Sequence, residues 1–401
     1  MYIRLLKNAL EHAFQKKQSF FLFGPRQVGK TSLIQELLPE NALSIPLHDP
    51  SLRIHYEKDP GSLIRQIEAR SPEGPVFIDE AQKVPELLDA VQYLIDGKKA
   101  SFAITGSSAR KLKMKGVNLL PGRIKSLRMD PLTWAECGWI NHPTLEALSM
   151  KNLNQLKLVD FEESLVFGSL PGMIQLEKTD RIDFLRTYAT TYLEEEIRDE
   201  SLVRQLGPFS RFLELAAQES GTSPNLTKLS LESGVSVPSI KSYYQILEDT
   251  LITHRLDPFL KNARKRILAS PRYYFFDLGV RNALARLPLN KDLLQAQKGL
   301  LFEHAVVLEL KRRIHALNRQ DQLYYWRTYH GAEVDVILDL GDELIPIEIK
   351  ATRSPRLADL KGLLNFLEDY KSHAKKGYVI TMGDRPEKLN AQITAIPWSY
   401  L

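Results

Sequence analysis

The sequence predicts an α/β fold in three successive units: a parallel sheet covered by helices in residues 1–155, a helical middle region in 156–266, and a second α/β unit in 267–401. Short apolar runs alternate with amphipathic stretches along the first unit, which is the rhythm of βα units. The middle region lacks a strand-like alternation over most of its length, and apolar strands return from Tyr273 onward. A chain of 401 residues is also too long for one ordinary core.

The composition is that of a globular protein in a reducing compartment. Hydrophobic residues make up 43% and charged residues 26% of the chain, which is the balance of a packed fold. The single cysteine, Cys137, excludes an intramolecular disulfide and a cysteine-built zinc site. The amino terminus lacks a signal-peptide pattern and no segment is apolar enough to span a membrane, so we expect a cytoplasmic location without membrane contact. The net charge of +5 permits nucleic-acid contact without requiring it.

A glycine-rich loop follows the first apolar run. Residues 24–31 read GPRQVGKT between the strand-like FFLF and the helical SLIQELL, which is the strand, loop and helix setting of a phosphate-binding P-loop. Glycines let backbone N–H groups approach phosphate oxygens, and the following helix points its positive end at the same charge. Lys30 then reaches the β and γ phosphates of ATP, and Thr31 offers its hydroxyl to Mg²⁺. The predicted ATP-binding residues are Gly24, Pro25, Arg26, Gln27, Val28, Gly29, Lys30, Thr31 and Ser32.

Two later strands are expected to end at the same site. The run VFI is followed by Asp79 and Glu80, and ligands are contacted just beyond the carboxyl ends of parallel strands. Asp79 is predicted to hold Mg²⁺ through water, and Glu80 to orient and deprotonate the attacking water. A third strand runs into Gly106, after which Ser107 is predicted to touch the γ phosphate or that water. An ordinary surface turn is the alternative at both places, and the preceding P-loop argues against it for Asp79 and Glu80.

The motifs GPRQVGKT, VFIDE, TGSSAR and LLPGRIKSLRMDPLTWAE resemble prokaryotic AAA-type ATPases of the family with a domain of unknown function at its carboxyl terminus. The resemblance covers nearly the whole chain and implies an AAA-like P-loop NTPase sheet of the ASCE class. It also implies that Arg123 contacts the γ phosphate or acts as a finger toward a neighbouring subunit; a salt-bridged structural arginine is the alternative. Arg26 matches the P-loop pattern of the family, and its role is open.

The middle region predicts a helix, a glycine turn and a second helix between residues 226 and 248, followed by strands and a wing. The family resemblance supports this winged helix-turn-helix shape more firmly than its use. If it binds DNA, the residues that face the groove are Ser239, Lys241, Ser242 and Gln245, and those that meet phosphates are Lys261, Arg264, Lys265 and Arg266. Docking of a protein partner is the alternative, because the second helix carries a single basic residue.

The carboxyl-terminal unit carries carboxylates and a lysine on a predicted helix and on two predicted strands. Glu303 lies in a predicted helix, Asp335 in the strand EVDVIL, and Glu348 with Lys350 in the strand LIPIEIK. A hairpin turn at Gly341 would bring Asp335 and Glu348 together on adjacent strands. Two carboxylates and a lysine suit phosphodiester hydrolysis in which the carboxylates bind Mg²⁺ or Mn²⁺ and the lysine activates water. A buried ion pair is the alternative.

The order Glu, Asp, Glu-x-Lys on helix, strand and strand resembles the PD-(D/E)xK nuclease superfamily. The resemblance implies a restriction-endonuclease-like fold in the last unit, with a metal site built by Glu303, Asp335 and Glu348 and with Lys350 as the catalytic lysine. Retained side chains of this kind do not identify a substrate.

Together these patterns predict an ATP-hydrolysing switch that uses ATP and Mg²⁺ and gates the rest of the chain. The residues predicted to act in hydrolysis are Lys30, Glu80, Ser107 and Arg123. The alternatives are a Mg²⁺-dependent nuclease that ATP regulates, and a non-catalytic adaptor that binds ATP and a protein partner. A homo-oligomer is expected if Arg123 acts on a neighbouring subunit.

Overall fold

The chain forms two compact units in the computed structural model, which describes residues 2–70, 72, 74–108, 123–140, 148, 150, 159–192, 206–260 and 270–401. The first unit contains residues 1–130, 249–252 and 315–318. The second contains residues 131–248, 253–314 and 319–401. The boundaries predicted at residues 155 and 266 fall outside the described residues, as do the predicted phosphate contacts Lys261, Arg264, Lys265 and Arg266.

The first unit is built on a five-stranded parallel sheet with the order β2-β3-β4-β1-β5. Its strands are β1 (Phe20–Phe23), β2 (Leu43–Pro46), β3 (Val76–Asp79), β4 (Phe102–Gly106) and β5 (Lys125–Arg128). β1, β3 and β4 are buried along their whole length, because apolar runs fill the centre of a sheet that helices cover. The α/β fold with a parallel sheet predicted for this part of the chain is confirmed.

Helices connect these strands. They are α1 (Lys7–Gln15), α2 (Lys30–Leu37), α3 (Pro50–Lys58), α4 (Ser62–Arg70) and α5 (Leu87–Asp96). Asp49 caps the amino end of α3, and its side chain accepts hydrogen bonds from the backbone N–H groups of Ser51 and Leu52. Apolar side chains of β1 to β4 and of α3 to α5 form one core. This core fixes the carboxyl ends of β1, β3 and β4 at one edge of the sheet.

The second unit begins with helices. The α-helices that lie wholly or mostly in this unit are α6 (Phe161–Phe167), α7 (Pro171–Ile174), α8 (Lys178–Thr187), α9 (Leu206–Gln218), α10 (Leu226–Ser233), α11 (Val237–Asp249), α12 (Leu278–Leu284), α13 (Lys291–Ala316) and α14 (Lys361–Asp369). Gly234 ends α10 with a φ of 71°, a conformation that glycine adopts without steric cost. The helical middle region is confirmed, and its helix, glycine turn and helix are present.

The same unit contains an eight-stranded mixed sheet with the order β12-β13-β11-β10-β9-β8-β6-β7. Its strands are β6 (Thr253–Pro258), β7 (Arg272–Phe275), β8 (Gln322–Arg327), β9 (Glu333–Asp339), β10 (Leu344–Lys350), β11 (Gly377–Thr381), β12 (Glu387–Lys388) and β13 (Ile393–Pro397). β6 pairs antiparallel with β7 and parallel with β8. The strand predicted to follow the helix-turn-helix therefore also belongs to the large sheet.

The cysteine and the helices can be compared with what the composition predicts. Cys137 is buried. Among the helices that the structure describes, none has both the length and the apolar character needed to cross a bilayer.

Candidate functional site

The loop between β1 and α2 closes around its own lysine. Lys30 is the first residue of α2 and is 5% exposed; its Nζ donates hydrogen bonds to the carbonyl oxygens of Gly24 and Pro25 at 2.7 and 2.9 Å. Gln27 and Gly29 have left-handed backbone, with φ of 64° and 93°. These two residues let the loop turn back over the ammonium group. The predicted P-loop therefore has its lysine at its centre.

Contacts with the end of β5 hold the loop in place. A Cβ on Gly24 would lie 2.1 Å from the carbonyl oxygen of Met129, so only glycine fits there. The guanidinium of Arg4 donates to the carbonyl oxygen of the fully buried Val28 at 2.8 Å and to that of Asp130 at 2.6 Å. The loop is thus anchored through carbonyl oxygens. Its N–H groups are the ones that a P-loop turns toward phosphate.

Asp79 joins the loop to the second predicted motif. It is 3% exposed at the end of β3, and the hydroxyl of Thr31 donates to it with 3.0 Å to each carboxylate oxygen. Thr105, at the end of β4, donates its hydroxyl to Asp79 and accepts the backbone N–H of Glu80 at 3.1 Å. Hydroxyl and carboxylate oxygens are ligands that Mg²⁺ prefers, so Thr31 and Asp79 fit a magnesium ion. Thr105 belongs to none of the motifs that predict this site.

Glu80 has an unusual backbone and a defined side-chain partner. Its φ of 61° and ψ of 45° are left-handed, which is uncommon for a residue with a Cβ and concentrates at functional sites. The amide Nε2 of Gln82 donates to Glu80 Oε2 at 2.6 Å and to Ser107 Oγ at 3.0 Å. Gln82 and Ser107 are buried. Gln82 therefore links two predicted catalytic residues, and its position two residues after Glu80 gave no signal in the sequence.

Replacing Thr105 by valine is expected to destabilise the first unit by about 1–3 kcal/mol. Valine keeps the shape but removes the hydroxyl that pairs with Asp79, and it leaves the half-buried N–H of Glu80 without this acceptor. Urea unfolding followed by circular dichroism measures the change. Thr105→Ser is the matched control, since it keeps the hydroxyl and should stay close to the wild type. Equal losses for both variants would assign the effect to packing instead.

Three further predicted residues differ in exposure and in position: Arg123 precedes β5 at the amino edge of the sheet, where Lys125 pairs with Phe20, whereas the loop follows the carboxyl end of β1. Arg26 is half-buried and Ser32 is exposed. The side chain of Arg123 is 42% exposed, and its Nε lies 2.5 Å from Asp96 Oδ1. The structure therefore shows Arg123 in a surface ion pair, and its role as a finger stays a prediction.

Asp335, Glu348 and Lys350 lie together where β9 and β10 pair. Asp335 accepts the backbone N–H of Ile349 at 2.7 Å, and Lys350 Nζ donates to Glu348 Oε1 at 2.7 Å. Asp335 and Glu348 are 9% and 7% exposed. The second oxygen of Glu348, Oε2, is buried and has no hydrogen-bond partner in the described part of the chain. The predicted hairpin turn is present, with Gly341 at a φ of 91°.

Glu303, on α13, is held by residues of β7. The hydroxyl of Tyr274 donates to Glu303 Oε1 at 3.1 Å, and Arg272 Nη1 lies 3.7 Å from the same oxygen. Arg272 is also paired with Glu333, and its guanidinium lies 4.5 Å from the centre of the Tyr325 ring. A buried arginine thus accompanies the predicted carboxylates. Arg272 could not be predicted from the sequence, because nothing along the chain indicates that β7 approaches α13.

The carboxylates of this cluster resist ionisation. Burial, together with the charge of Asp335, raises the pKa of Glu303 to about 7 and that of Glu348 to about 7. Burial also raises the pKa of Asp335. Within the described ranges, no group of three or more His, Cys, Asp or Glu side chains is arranged to hold a metal ion. Asp335 and Glu348, with the unpaired Oε2, are the pair that best fits a divalent cation here.

Glu348→Gln is expected to stabilise the second unit above about pH 7 by on the order of 2 kcal/mol. Because the pKa of Glu348 is raised, the folded wild type keeps a proton that the unfolded chain releases. Wild-type stability therefore falls as pH rises from about 4.5 through about 7, and glutamine removes that loss. Urea unfolding at both ends of this range measures it. The exposed Glu343→Gln is the control, and a pH-independent gain for Glu348→Gln would contradict the raised pKa.

A parallel sheet with a P-loop after β1 and the pair Asp79 and Glu80 after β3 makes the first unit a P-loop NTPase-type domain. Comparison with known families agrees: residues 16–138 match the model of the AAA domain. Residues 298–401 match a domain of unknown function (DUF4143), and residues 158–291 match another (DUF8612). The chain therefore has an AAA domain near its amino terminus and a DUF4143 domain at its carboxyl terminus. The resemblance to AAA-type ATPases with a carboxyl-terminal domain of unknown function is confirmed, and the resemblance to PD-(D/E)xK nucleases stays a prediction.

The relatives that match this chain over most of its length are named as uncharacterized proteins. An uncharacterized protein of Mycobacterium tuberculosis is 25% identical over 397 residues, which cover 97% of this chain and 82% of the relative. A protein of Mycobacterium bovis gives the same values. An uncharacterized protein of Haemophilus influenzae is 22% identical over 395 residues, or 91% of each chain.

Solved structures show only a weak likeness. The replication initiator DnaA, bound to AMPPCP and single-stranded DNA, is 12% identical with a TM-score of 0.32, over 62% of this chain and 88% of that chain. A signal transduction ATPase (STAND) protein of Pyrococcus horikoshii is 11% identical with a TM-score of 0.22, over 76% and 47%. Scores of this size are too low to support an argument about function.

Proposed function

We propose that this chain binds ATP with Mg²⁺, hydrolyses it, and uses the nucleotide state to control the rest of the chain. The observation that carries the proposal is the meeting of Lys30, Thr31, Asp79 and Glu80 at the carboxyl edge of one parallel sheet. Thr31 Oγ1 lies within 3.0 Å of Asp79, although 48 residues separate them. A loop that wraps an ammonium group, beside a hydroxyl and two carboxylates, suits a metal-bound triphosphate.

The proposed reaction is an in-line attack of water on the γ phosphorus, which breaks the bond to the β-phosphate oxygen. Glu80 accepts the proton of the water, and Gln82 fixes the Glu80 carboxylate through the 2.6 Å hydrogen bond. Lys30 exchanges the carbonyl oxygens of Gly24 and Pro25 for phosphate oxygens. Thr31 and Asp79 would hold Mg²⁺, which offsets the charge on the phosphates.

The experiment that tests this proposal measures retention of labelled ATP and release of phosphate by the purified protein. We expect both to require Mg²⁺, and we expect DNA to stimulate phosphate release if the two units are coupled. ATP binding without turnover would favour the non-catalytic adaptor. Failure to retain ATP in the presence of Mg²⁺ would exclude the proposal.

A second proposed activity is Mg²⁺-dependent cleavage of phosphodiester bonds in the second unit. It is favoured by Glu348, whose Oε2 is buried without a hydrogen-bond partner in the described residues, beside Asp335 and Lys350. An unsatisfied buried carboxylate oxygen is costly unless a ligand completes it. Asp335 and Glu348 would hold the metal, and Lys350 would position the attacking water.

Incubation of DNA or RNA with the protein and Mg²⁺, with and without ATP, tests this second activity. We expect Lys350→Met to slow cleavage, because it removes the ammonium group next to Glu348. Lys376→Met, at an exposed lysine of the same unit, is the control and should cleave like the wild type. An absence of cleavage by the wild type under all four conditions would remove the nuclease proposal and leave the ATPase proposal intact.

A further inference from the structure

A pocket of about 390 Å³ lies between α11 and the paired strands β6 and β7. Neither the proposed ATP chemistry nor the proposed phosphodiester chemistry uses it. α11 contributes Lys241, Tyr244, Gln245 and Glu248 to its lining. The strands and the turn before β7 contribute Arg255, Ser270, Pro271 and Tyr273. A polar pocket with aromatic walls of this size is large enough for a planar ring system and far too small for a double helix.

The helical spacing explains why α11 faces this pocket. Lys241, Tyr244, Gln245 and Glu248 are three and four residues apart, so they lie on one face of the helix. Ser242, which was predicted to face a DNA groove with Lys241 and Gln245, is absent from the lining and donates its hydroxyl to the carbonyl oxygen of Pro238 at 3.2 Å. Two of the predicted groove contacts are therefore directed into a pocket of their own unit.

We propose that this pocket binds one unpaired base of single-stranded nucleic acid. The rings of Tyr244 and Tyr273 are stacked, with centres 4.2 Å apart and planes inclined by 20°. Tyr244 is buried, whereas Tyr273 is half-buried and lines the pocket, so a base can extend this stack. Burial raises the pKa of Tyr273 to about 12, which keeps the phenol neutral. Stacking on an aromatic ring accepts any base, because every base has a π face.

The polar side chains of the pocket suit hydrogen bonds to the edge of a base and contact with a flanking phosphate. Arg255 is held in place by Asp257, which accepts from its Nε at 2.8 Å, and by Glu248, 4.0 Å from its Nη1. Gln245 and Glu248 add an amide and a carboxylate, so hydrogen-bond donors and acceptors are both present. Lys241 is exposed and suits a flanking phosphate.

The proposal goes beyond ATP hydrolysis and does not depend on it. Fluorescence anisotropy with a labelled single-stranded oligonucleotide, and with the duplex of the same sequence, tests it on the full chain. We expect tighter binding of the single strand. Tyr273→Leu should weaken that binding by roughly 5- to 100-fold, because leucine fills the space without a π face. Tyr273→Phe, which keeps the ring, should bind like the wild type.

Two further variants keep the test decisive if leucine disturbs the fold. Gln245→Ala changes an exposed side chain and should also weaken single-strand binding, whereas Tyr93→Leu, at an exposed tyrosine of the first unit, should not. Lys30→Ala should bind the oligonucleotide normally, which separates this proposal from the ATPase proposal. Equal or tighter binding of the duplex would overturn the inference. Unchanged single-strand binding by folded Tyr273→Leu, or by Gln245→Ala, would also overturn it.

Discussion

Replacing Lys30 by alanine is expected to lower ATP turnover by about 10³-fold or more. The Lys30 ammonium lies at the centre of the loop, 2.7 and 2.9 Å from the carbonyl oxygens of Gly24 and Pro25. Because Lys30 is 5% exposed, water would screen its charge only weakly from the phosphates. Alanine removes that charge from the place where negative charge develops in the transition state. Phosphate release at saturating ATP and Mg²⁺ measures the loss.

Lys99→Ala is the matched control for this variant. Lys99 also belongs to the first unit, but it pairs with Glu68 on the surface and lies 5.0 Å from the centre of the Tyr93 ring. An exposed pair of this kind contributes little, so turnover and stability should stay close to the wild type. Circular dichroism of both variants shows whether the fold is kept. Near-normal turnover by folded Lys30→Ala would mean that this loop does not bind the reacting phosphate.

In the first unit, the predicted strands β1, β3 and β4 differ in burial from β5, which was not predicted. β1, β3 and β4 are continuous apolar runs, buried at every residue, and runs of this kind can be recognised without knowing their neighbours. β5 reads KSLR and lies at the edge of the sheet, where only Leu127 is buried. A polar edge strand of four residues has the same local pattern as a loop. Its pairing with β1 is decided by the sheet and not by its own residues.

In the site, too, residues within short motifs could be predicted, whereas contacts between strands could not. Lys30, Thr31, Asp79 and Glu80 belong to short motifs in which neighbouring residues define the role. Thr105 contacts Asp79 because β4 lies next to β3 in the sheet. The residues of β3 and β4 do not indicate by themselves that these two strands pair. Assigning these contacts requires knowing which strands are neighbours, and the sequence contains no local pattern for that.

Replacing Glu80 by glutamine is expected to lower turnover by roughly 10²- to 10⁴-fold while ATP binding is retained. Glutamine has the shape of glutamate, and its carbonyl oxygen can still accept the hydrogen bond from Gln82 Nε2. It cannot accept a proton from water, so only the proton transfer is lost. Lys30, Thr31 and Asp79 stay in place to bind the nucleotide. Labelled ATP should therefore remain bound to the variant for longer than to the wild type.

The distinction between loss of binding and loss of chemistry depends on measuring both quantities on the same protein. Glu57→Gln, in a surface pair with Arg53 on α3, controls for the change of charge and should hydrolyse ATP normally. Normal turnover by Glu80→Gln would mean that another group takes the proton, and the left-handed backbone of Glu80 would then need a structural explanation. Loss of ATP binding together with turnover would instead place Glu80 in the nucleotide site as a ligand-positioning residue. Slow turnover with tight binding is the combination that a general base at this position requires.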